Sequence, residues 1–347
     1  MPAIERAIPA TGPEKFGTHS TITVVSYRTM HLKRIAPALL FALMIGGASY
    51  LTAQPDTVKQ IAEGVWFREG DLKGHGHCNN IVVEMKDYLI VVDANFPSGA
   101  RRLIEDIKKI SNKPVKYVFD THHHGDHAYG NPVWTRMGAT TIGHIGVANE
   151  MKAREPKRWQ EAQSRPDIAE LKLATAEPPK ETFTRSPHVI TDGNRRVELH
   201  HLGWAHTKGD GFLFLPKEKI ICTGDAVVNG PYNYTGDGHV ANWPNVVRNA
   251  QKLGATRVLP AHGPAGGPEI LAGELAFMTE LNKAVRAAVA ANRKLEEIVT
   301  MENGKPKSTS VKLPDSVRHW VGDFFPMQVY DAYQEIKHGK PRGDLNL

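Results

Sequence analysis

The segment Thr121-His122-His123-His124-Gly125-Asp126-His127 holds four histidines and one aspartate within six residues. It directly follows an apolar run, residues 115–119, which we predict to be a β-strand. A strand end followed by a glycine-containing loop is a rigid platform that can direct several side chains to one place. Imidazoles and carboxylates are typical zinc ligands. Because a stray histidine tag would lie at a terminus without acidic residues, this internal segment predicts a metal site.

The spacing within the segment suggests two neighbouring metal positions. In extended backbone, alternate residues face the same way, so His122 and His124 converge while His123 points away. Gly125 lets the chain turn. The Asp and His that follow Gly125 can then face a second position close to the first.

The regions on either side of this segment form two similar halves. Strand patterns occupy residues 65–67, 80–85, 88–92 and 115–119 of the first half, and residues 196–202, 211–215, 219–222 and 258–259 of the second. Helical spacing covers residues 100–110, with Ser98 as the expected cap, and residues 147–163 and 245–253. Alternating strands and helices could form a doubly wound parallel sheet. The hairpins favour two packed sheets with helices outside, since parallel strands need crossover connections.

Three regions divide the 347 residues. Residues 1–53 are expected to be a presequence, 54–270 the metal-binding domain, and 271–347 a helical extension that packs on it. Residues 164–187 are rich in proline and predict an insertion or a long loop. In the extension we expect one long helix over residues 268–301 and another near residues 329–337.

Further motifs identify a resemblance to a known family. His122-x-His124-x-Asp126-His127 is similar to the signature of the metallo-β-lactamase superfamily. Asp93 in IVVDAN precedes it, and His206 in GWAHT, Asp225 in CTGDA and His262 in PAHGP follow it, in the order of the family's motifs. The resemblance spans about residues 60–265. It implies the four-layer αβ/βα sandwich, an α/β fold with the metals at one edge between two similar halves.

The resemblance also implies roles for individual residues and two Zn²⁺ ions per chain. By position, the first zinc would be held by His122, His124 and His206, and the second by Asp126, His127 and His262. Asp225 would bridge both ions, and Asp93 would fix the metal-binding loop. His75, His77, His123, His200 and His201 match no ligand position and are interpreted as structural or surface residues.

A zinc-bound hydroxide attacking a carbonyl follows from this site, with Asp126 orienting it and shuttling a proton. The expected substrate is a small molecule: a β-lactam, lactone, ester or thioester. β-Lactamases of this superfamily usually carry Cys or Ser at the Asp225 position. Asp there is more similar to thioesterases and lactonases, whereas export would suit a β-lactam. The loop that follows Asp225 carries four side chains that could contact the substrate: Tyr232, Tyr234, His239 and Trp243.

Other functions of the same fold remain open. A phosphodiesterase or nuclease would share the ligands, and an iron dioxygenase would bind one metal and need neither His127 nor His262. A non-enzymatic zinc-binding protein is a further alternative. The chain has 43 basic and 37 acidic residues. Without residues 1–53 these become 38 and 35, a net charge of +3, so a nucleic-acid partner is not expected.

An export signal is predicted from Met30 onward. Lys33 and Arg34 precede an apolar stretch, residues 35–45, and small residues that would permit cleavage after Ser49 or Ala53. We therefore expect a periplasmic or secreted protein whose only membrane contact is the presequence. A membrane anchor through residues 35–53 is the alternative. The two cysteines, Cys78 and Cys222, lack CxxC spacing; whether they pair, and the oligomeric state, stay open.

Overall fold

The computed structural model describes residues 57–71 and 77–345, which form two facing β-sheets with helices on their outer sides. The presequence, its signal peptide and the alternative anchor lie outside the described residues, as does His75. Among the described residues, none of the helices is long and apolar enough to cross a bilayer.

The first sheet has seven strands in chain order, with antiparallel pairing through β4 and parallel pairing from β4 to β7. They are β1 (Val58–Ala62), β2 (Val65–Arg68), β3 (Asn80–Glu84), β4 (Leu89–Val92), β5 (Val115–Asp120), β6 (Thr140–His144) and β7 (Glu181–Phe183).

The second sheet has five strands. They are β8 (His188–Thr191), β9 (Arg196–His200), β10 (Phe212–Leu215), β11 (Ile220–Cys222) and β12 (Arg257–Leu259). Their order is β12-β11-β10-β9-β8; β10 and β11 form an antiparallel hairpin, while β11 and β12 are parallel.

Helices connect and cover the two sheets, and a small hairpin follows them near the C-terminus. The helices are α1 (Pro97–Ile110), α2 (Gly125–Ala128), α3 (Asn131–Thr135), α4 (Ile145–Ala162), α5 (Pro166–Ala169), α6 (Trp243–Gln251), α7 (Glu269–Ala290), α8 (Leu295–Ile298) and α9 (Phe325–His338). The hairpin pairs β13 (Val299–Glu302) with β14 (Lys305–Thr309).

Three apolar layers hold these elements together. The central layer contains buried side chains from both sheets, such as Phe119 and Leu213. Leu103 of α1 and Trp134 of α3 pack on the outer side of the first sheet. α6, α7 and α9 pack against the second sheet around buried Trp243. The predicted αβ/βα sandwich is confirmed, and the doubly wound alternative is wrong because each sheet has a face in the central layer.

Two local predictions were wrong, and a third was incomplete. α1 begins at Pro97 with Phe96 as its cap, so Ser98 lies inside the helix. Proline supplies the fixed φ that suits a first helical position. Residues 164–187 are not only loop, because α5 and β7 fall within them.

The long helix expected over residues 268–301 ends at Ala290. Asn292 adopts a left-handed φ of 57°, which stops the helix. Asn303 and Gly304, with φ of 51° and 75°, form the two-residue turn between β13 and β14. An Asn-Gly pair is a strong hairpin signal, so this turn could have been predicted.

Candidate metal centre

Asp93 fixes the loop that carries the histidine-rich segment. It directly follows β4 and adopts a left-handed φ of 65°, an unusual conformation for a non-glycine residue. Its Oδ1 accepts hydrogen bonds from the backbone N–H and the hydroxyl of Thr121, both at 2.8 Å. Its Oδ2 accepts one from Nδ1 of His127 at 2.9 Å. The predicted position of Asp93 behind the loop matches these contacts.

His122, His124 and His206, which we call the first ligand group, converge at one point. Nδ1 of His124 lies 3.2 Å from Nε2 of His122 and 2.9 Å from Nε2 of His206. Nε2 of His124 donates to the Asp237 carboxylate and Nδ1 of His206 to the Tyr234 carbonyl. Since those acceptors require the protons there, the nitrogens of His124 and His206 that face each other both carry lone pairs. A cation bound between the two nitrogens would relieve the repulsion of these lone pairs.

The first ligand group is electrically neutral at pH 7. Burial lowers the pKa of His124 to about 3 and that of His206 to about 4. Burial, together with the neighbouring imidazoles, also lowers the pKa of His122 well below its usual value. Unprotonated imidazole is the form that binds a metal.

Asp126, His127 and His262 form a second ligand group beside the first. Oδ2 of Asp126 lies 3.4 Å from Nε2 of His127 and 3.3 Å from Nε2 of His262. Because Nδ1 of His127 donates to Asp93, its buried Nε2 is left with no hydrogen-bond partner among the described residues. An unpartnered nitrogen facing a carboxylate is the arrangement expected of a metal ligand.

The carboxylates give this second group a different charge state. Burial alone would lower the pKa of His262, but the Asp225 carboxylate and the hydrogen bond with Asp126 raise it to about 9. Burial would also lower the pKa of His127, but the Asp126 and Asp225 carboxylates raise it well above its usual value. The second group therefore attracts positive charge, which protons or a metal ion can supply.

Asp225 lies between the two groups. Its Oδ2 is 3.7 Å from Nε2 of His206 and 3.4 Å from Nε2 of His262, and its Oδ1 is 3.6 Å from Nε2 of His127. It sits in a one-turn 3-10 helix, residues 224–226, which Thr223 separates from the end of β11. Thus one carboxylate from the second half reaches both groups, and all seven predicted ligands come together.

Two carboxylates that sequence reasoning missed hold ligands in place. Asp237 accepts from Nε2 of His124 at 2.8 Å and is itself bound by Arg154 and Arg158, at 2.9 and 2.7 Å. Asp210 accepts from the backbone N–H groups of residues 205–207, and so fixes the loop of His206. Asp237 lies 113 residues from His124 along the chain, so no local pattern could connect them.

A pocket of about 280 Å³ opens onto both groups. It is lined by His77, His124, Asp126, Asp225, Tyr232, Tyr234, His262 and Phe324. The structure thus places the predicted contacts Tyr232 and Tyr234 at the pocket. It also brings there two residues that were not predicted to be site residues, His77 and Phe324.

Two other predicted substrate contacts do not line the pocket. The His239 ring packs against Trp204, and its Nε2 lies 3.6 Å from Glu335. Trp243 is fully buried, and its Nε1 donates to the carbonyl of Ala226. Both predictions are corrected, because position in the loop after Asp225 did not reveal which side chains turn toward the helices.

The remaining histidines and cysteines have structural surroundings. His123 is fully buried, with its Nε2 3.6 Å from both Glu155 and Asp237. His201 stacks on His144, and His200 contacts Glu198. Cys78 and Cys222 are buried free thiols, so the structure contains no bridge between them.

Comparison with known proteins agrees with this geometry. The family model for the metallo-beta-lactamase superfamily matches residues 74–262. A metallo-beta-lactamase type 2 from Bacillus sp. (strain 170) is 23% identical, over 62% of this chain and 79% of its own length. One from Bacillus cereus is 25% identical over the same shares.

Solved structures show the same fold. A metallo-beta-lactamase from Pontibacter korlensis gives a TM-score of 0.52 at 22% identity, covering 64% of this chain and 98% of the other. The metallo-beta-lactamase FIM-1 from Pseudomonas aeruginosa, solved in its mono-zinc form, gives 0.51 at 23% identity, covering 65% and 96%. The seven converging donors and the matched residues together establish that the chain belongs to the metallo-β-lactamase superfamily of metal-dependent hydrolases.

Proposed function

We propose that this protein is an exported dinuclear zinc hydrolase that cleaves a β-lactam, lactone, ester or thioester at its carbonyl. The position of Asp225 supports the binding of two metals, because its two carboxylate oxygens face nitrogens of different ligand groups. Lone pairs face each other in the first group, and carboxylates face imidazoles in the second. Both groups therefore fit a divalent transition metal, and nitrogen with carboxylate oxygen suits zinc.

When bound, zinc would lower the pKa of a water to about 7 and polarise the carbonyl under attack. The protein's own groups would position the reactants. Asp126 is the ligand best placed to move a proton, because its side chain is 24% exposed and lines the pocket. One carboxylate oxygen can face the metal while the other accepts a proton and passes it to the leaving atom.

The carbonyl class of substrate rests on two further considerations. The curated relatives named above are metallo-beta-lactamases, whose name refers to β-lactam hydrolysis. Asp225, instead of Cys or Ser, is more similar to the thioesterases and lactonases of the superfamily. We therefore propose a small carbonyl compound and expect no nucleic-acid substrate.

Export is proposed from residues 30–53 alone. Expression of the full chain with a periplasmic fractionation step tests it: the expected product lacks the first 49 or 53 residues and lies in the periplasm or the medium. A full-length product retained in the membrane would support the anchor, and a cytoplasmic product would refute both.

Metal analysis and a substrate panel test the catalytic proposal. The purified protein is expected to contain two zinc ions per chain and to hydrolyse at least one of a β-lactam, a lactone, an ester and a thioester. His122→Ala should abolish the activity because it removes a ligand of the first group. The matched control is His338→Ala, an exposed histidine at the end of α9, which should leave activity unchanged.

Three results would contradict the proposal. One iron per chain would favour the dioxygenase, and turnover of phosphodiesters alone would favour the nuclease class. Activity that is equal in His122→Ala and the unmodified protein would show that the catalytic site lies elsewhere.

A further inference from the structure

The C-terminal segment, residues 269–345, lies beyond the residues that the family model matches and packs against the loop of residues 226–243. Hydrogen bonds join the two directly. Trp320 donates to the Val228 carbonyl at 3.1 Å, Gln328 to the Asn233 carbonyl at 2.6 Å, and Thr235 to the Asp331 carboxylate at 2.6 Å. Since this loop carries Tyr232 and Tyr234, the segment holds one wall of the metal pocket.

Close packing brings the turn before α9 onto this loop. A Cβ added to Gly322 would lie 2.5 Å from Cβ of Pro231, so a larger residue there would push the two apart. The N–H of Phe325 donates to the carbonyl of Gly322 at 2.9 Å, and that of Gln328 to the carbonyl of Phe324 at 2.9 Å. These contacts fix the backbone on both sides of Phe324.

Phe324 is the one side chain that this segment contributes to the pocket. Its ring is 40% exposed, although nearly all large apolar side chains among the described residues are buried or half-buried. It meets the Tyr234 ring edge to face, with centroids 6.3 Å apart. The Tyr234 ring lies 5.6 Å from the His124 ring, and the Tyr232 ring lies 6.0 Å from the His262 ring. Aromatic rings therefore stand beside both ligand groups.

We propose that Phe324 is a specificity-determining residue, which selects substrates that carry a single aryl or arylalkyl group next to the carbonyl. This inference rests on the proposed carbonyl hydrolase and names the substrate class of that same site. Aromatic rings prefer edge-to-face partners, and a ligand ring would cover the exposed face of Phe324. An apolar cavity of about 150 Å³ accepts one benzene ring. The pocket of about 280 Å³ thus has room for one ring together with the carbonyl at the metals.

Thiol binding to cobalt-loaded protein tests the selection without turnover. Benzyl mercaptan and ethanethiol both bind a metal through sulfur, and the sulfur-to-cobalt absorption band reports each dissociation constant. The unmodified protein is expected to bind benzyl mercaptan at least about tenfold more tightly than ethanethiol. Phe324→Ala should weaken the binding of benzyl mercaptan about five- to tenfold and that of ethanethiol less than about twofold. Phe324→Leu should weaken the binding of benzyl mercaptan less than Phe324→Ala does.

The matched control is Met301→Ala, which removes another exposed apolar side chain, 43% exposed, from the same segment but outside the pocket. Met301→Ala should leave the dissociation constants of both thiols unchanged. Melting temperatures of all variants show that they remain folded. A phenylacetyl thioester and an acetyl thioester with the same leaving thiol extend the test to hydrolysis. The unmodified protein should have the higher kcat/KM for the phenylacetyl ester, and Phe324→Ala should reduce this preference.

The two proposals fail in different ways. If Phe324→Ala keeps the preference for benzyl mercaptan, or weakens both thiols equally, the selection by Phe324 is wrong while the metal site stands. If the unmodified protein shows no cobalt spectrum, the proposed hydrolase itself is wrong.

Discussion

The two ligand groups lie side by side, but they differ in charge in the metal-free protein. The first consists of imidazoles whose pKa burial lowers, to about 3 for His124 and about 4 for His206. In the second, carboxylates overcome burial and raise the pKa of His262 to about 9. The comparison teaches that one metal-binding loop can present two chemically distinct positions. The first group holds no protons at pH 7, while the second holds protons that a bound metal ion would have to displace.

Both groups nevertheless depend on the same pairing of halves. Each takes two ligands from residues 122–127 and one from a separate loop of the second half, His206 or His262. Asn79 strengthens this pairing near the centre, because its Nδ2 donates to the carbonyls of Pro260 and Gly263, both at 2.8 Å. The charge difference therefore comes from the carboxylates, since the second group contains Asp126 and also lies beside Asp225, whereas the first contains imidazoles alone.

Removing one histidine from each group gives the largest expected effect. His206→Ala and His262→Ala should each reduce the metal content from two ions to one, and lower kcat/KM by at least about 1000-fold. Metal analysis and steady-state kinetics measure this, with His338→Ala as the control. A variant that keeps two metals at full affinity would show that the missing histidine is not a ligand.

Removing the charge behind one ligand of each group should have a smaller effect. Asp237→Asn weakens the support of His124, and Asp93→Asn that of His127. Loss of such a partner typically lowers metal affinity about 10- to 100-fold. Asp237→Asn should lower the metal affinity of the first group, and Asp93→Asn should lower that of the second. Competition with a chelator measures both affinities. Equal weakening of both groups in both variants would mean that the groups do not bind independently.

The sequence predicted which seven donor side chains converge better than it predicted what surrounds them. The seven donors follow strands in short glycine-containing segments, where motifs fix both residue type and position. Asp126 and His127 lie in α2, and Asp225 lies in the 3-10 helix of residues 224–226.

Asp237 and Phe324 reach the site through contacts that the fold creates, and no motif marks them. Asp210 was missed although it lies only four residues from His206 and accepts a hydrogen bond from the backbone N–H of that residue. Two packed sheets with helices outside followed from strand and hairpin patterns, and the αβ/βα sandwich followed from the family resemblance. The end of α7 was missed because helical periodicity carried more weight than the local preference of Asn292 for a left-handed conformation.

The pH dependence of metal binding should also separate the groups. The metal must displace a proton from His262 at every pH below its pKa of about 9, so affinity in the second group rises with pH up to that value. Between pH 8 and pH 7 it should fall at least about tenfold, because the carboxylates also raise the pKa of His127. Affinity in the first group should change less than about twofold, because His124 and His206 are already unprotonated. Cobalt titrations at both pH values measure this, and parallel losses would contradict the difference.

Replacing the buried thiol next to the second group should have the smallest effect. The Cys78 sulfur lies within 4.8 Å of ligand atoms of Asp93 and His127, so it could in principle join that group. Burial and then the Asp93 carboxylate raise the pKa of Cys78 well above its usual value. Because the thiolate is the form that binds metal, we expect the protonated thiol to take no part.

Cys78→Ala should therefore leave the metal content and kcat/KM within about twofold. The free energy of unfolding should fall by about 1 kcal/mol, since a small buried group is removed. Cys222→Ala is the control, because Cys222 is equally buried but lies in β11 within the central layer. Loss of one metal in Cys78→Ala but not in Cys222→Ala would make Cys78 a ligand. The second group would then bind through sulfur, and its contrast with the first would rest on ligand type more than on carboxylate charge.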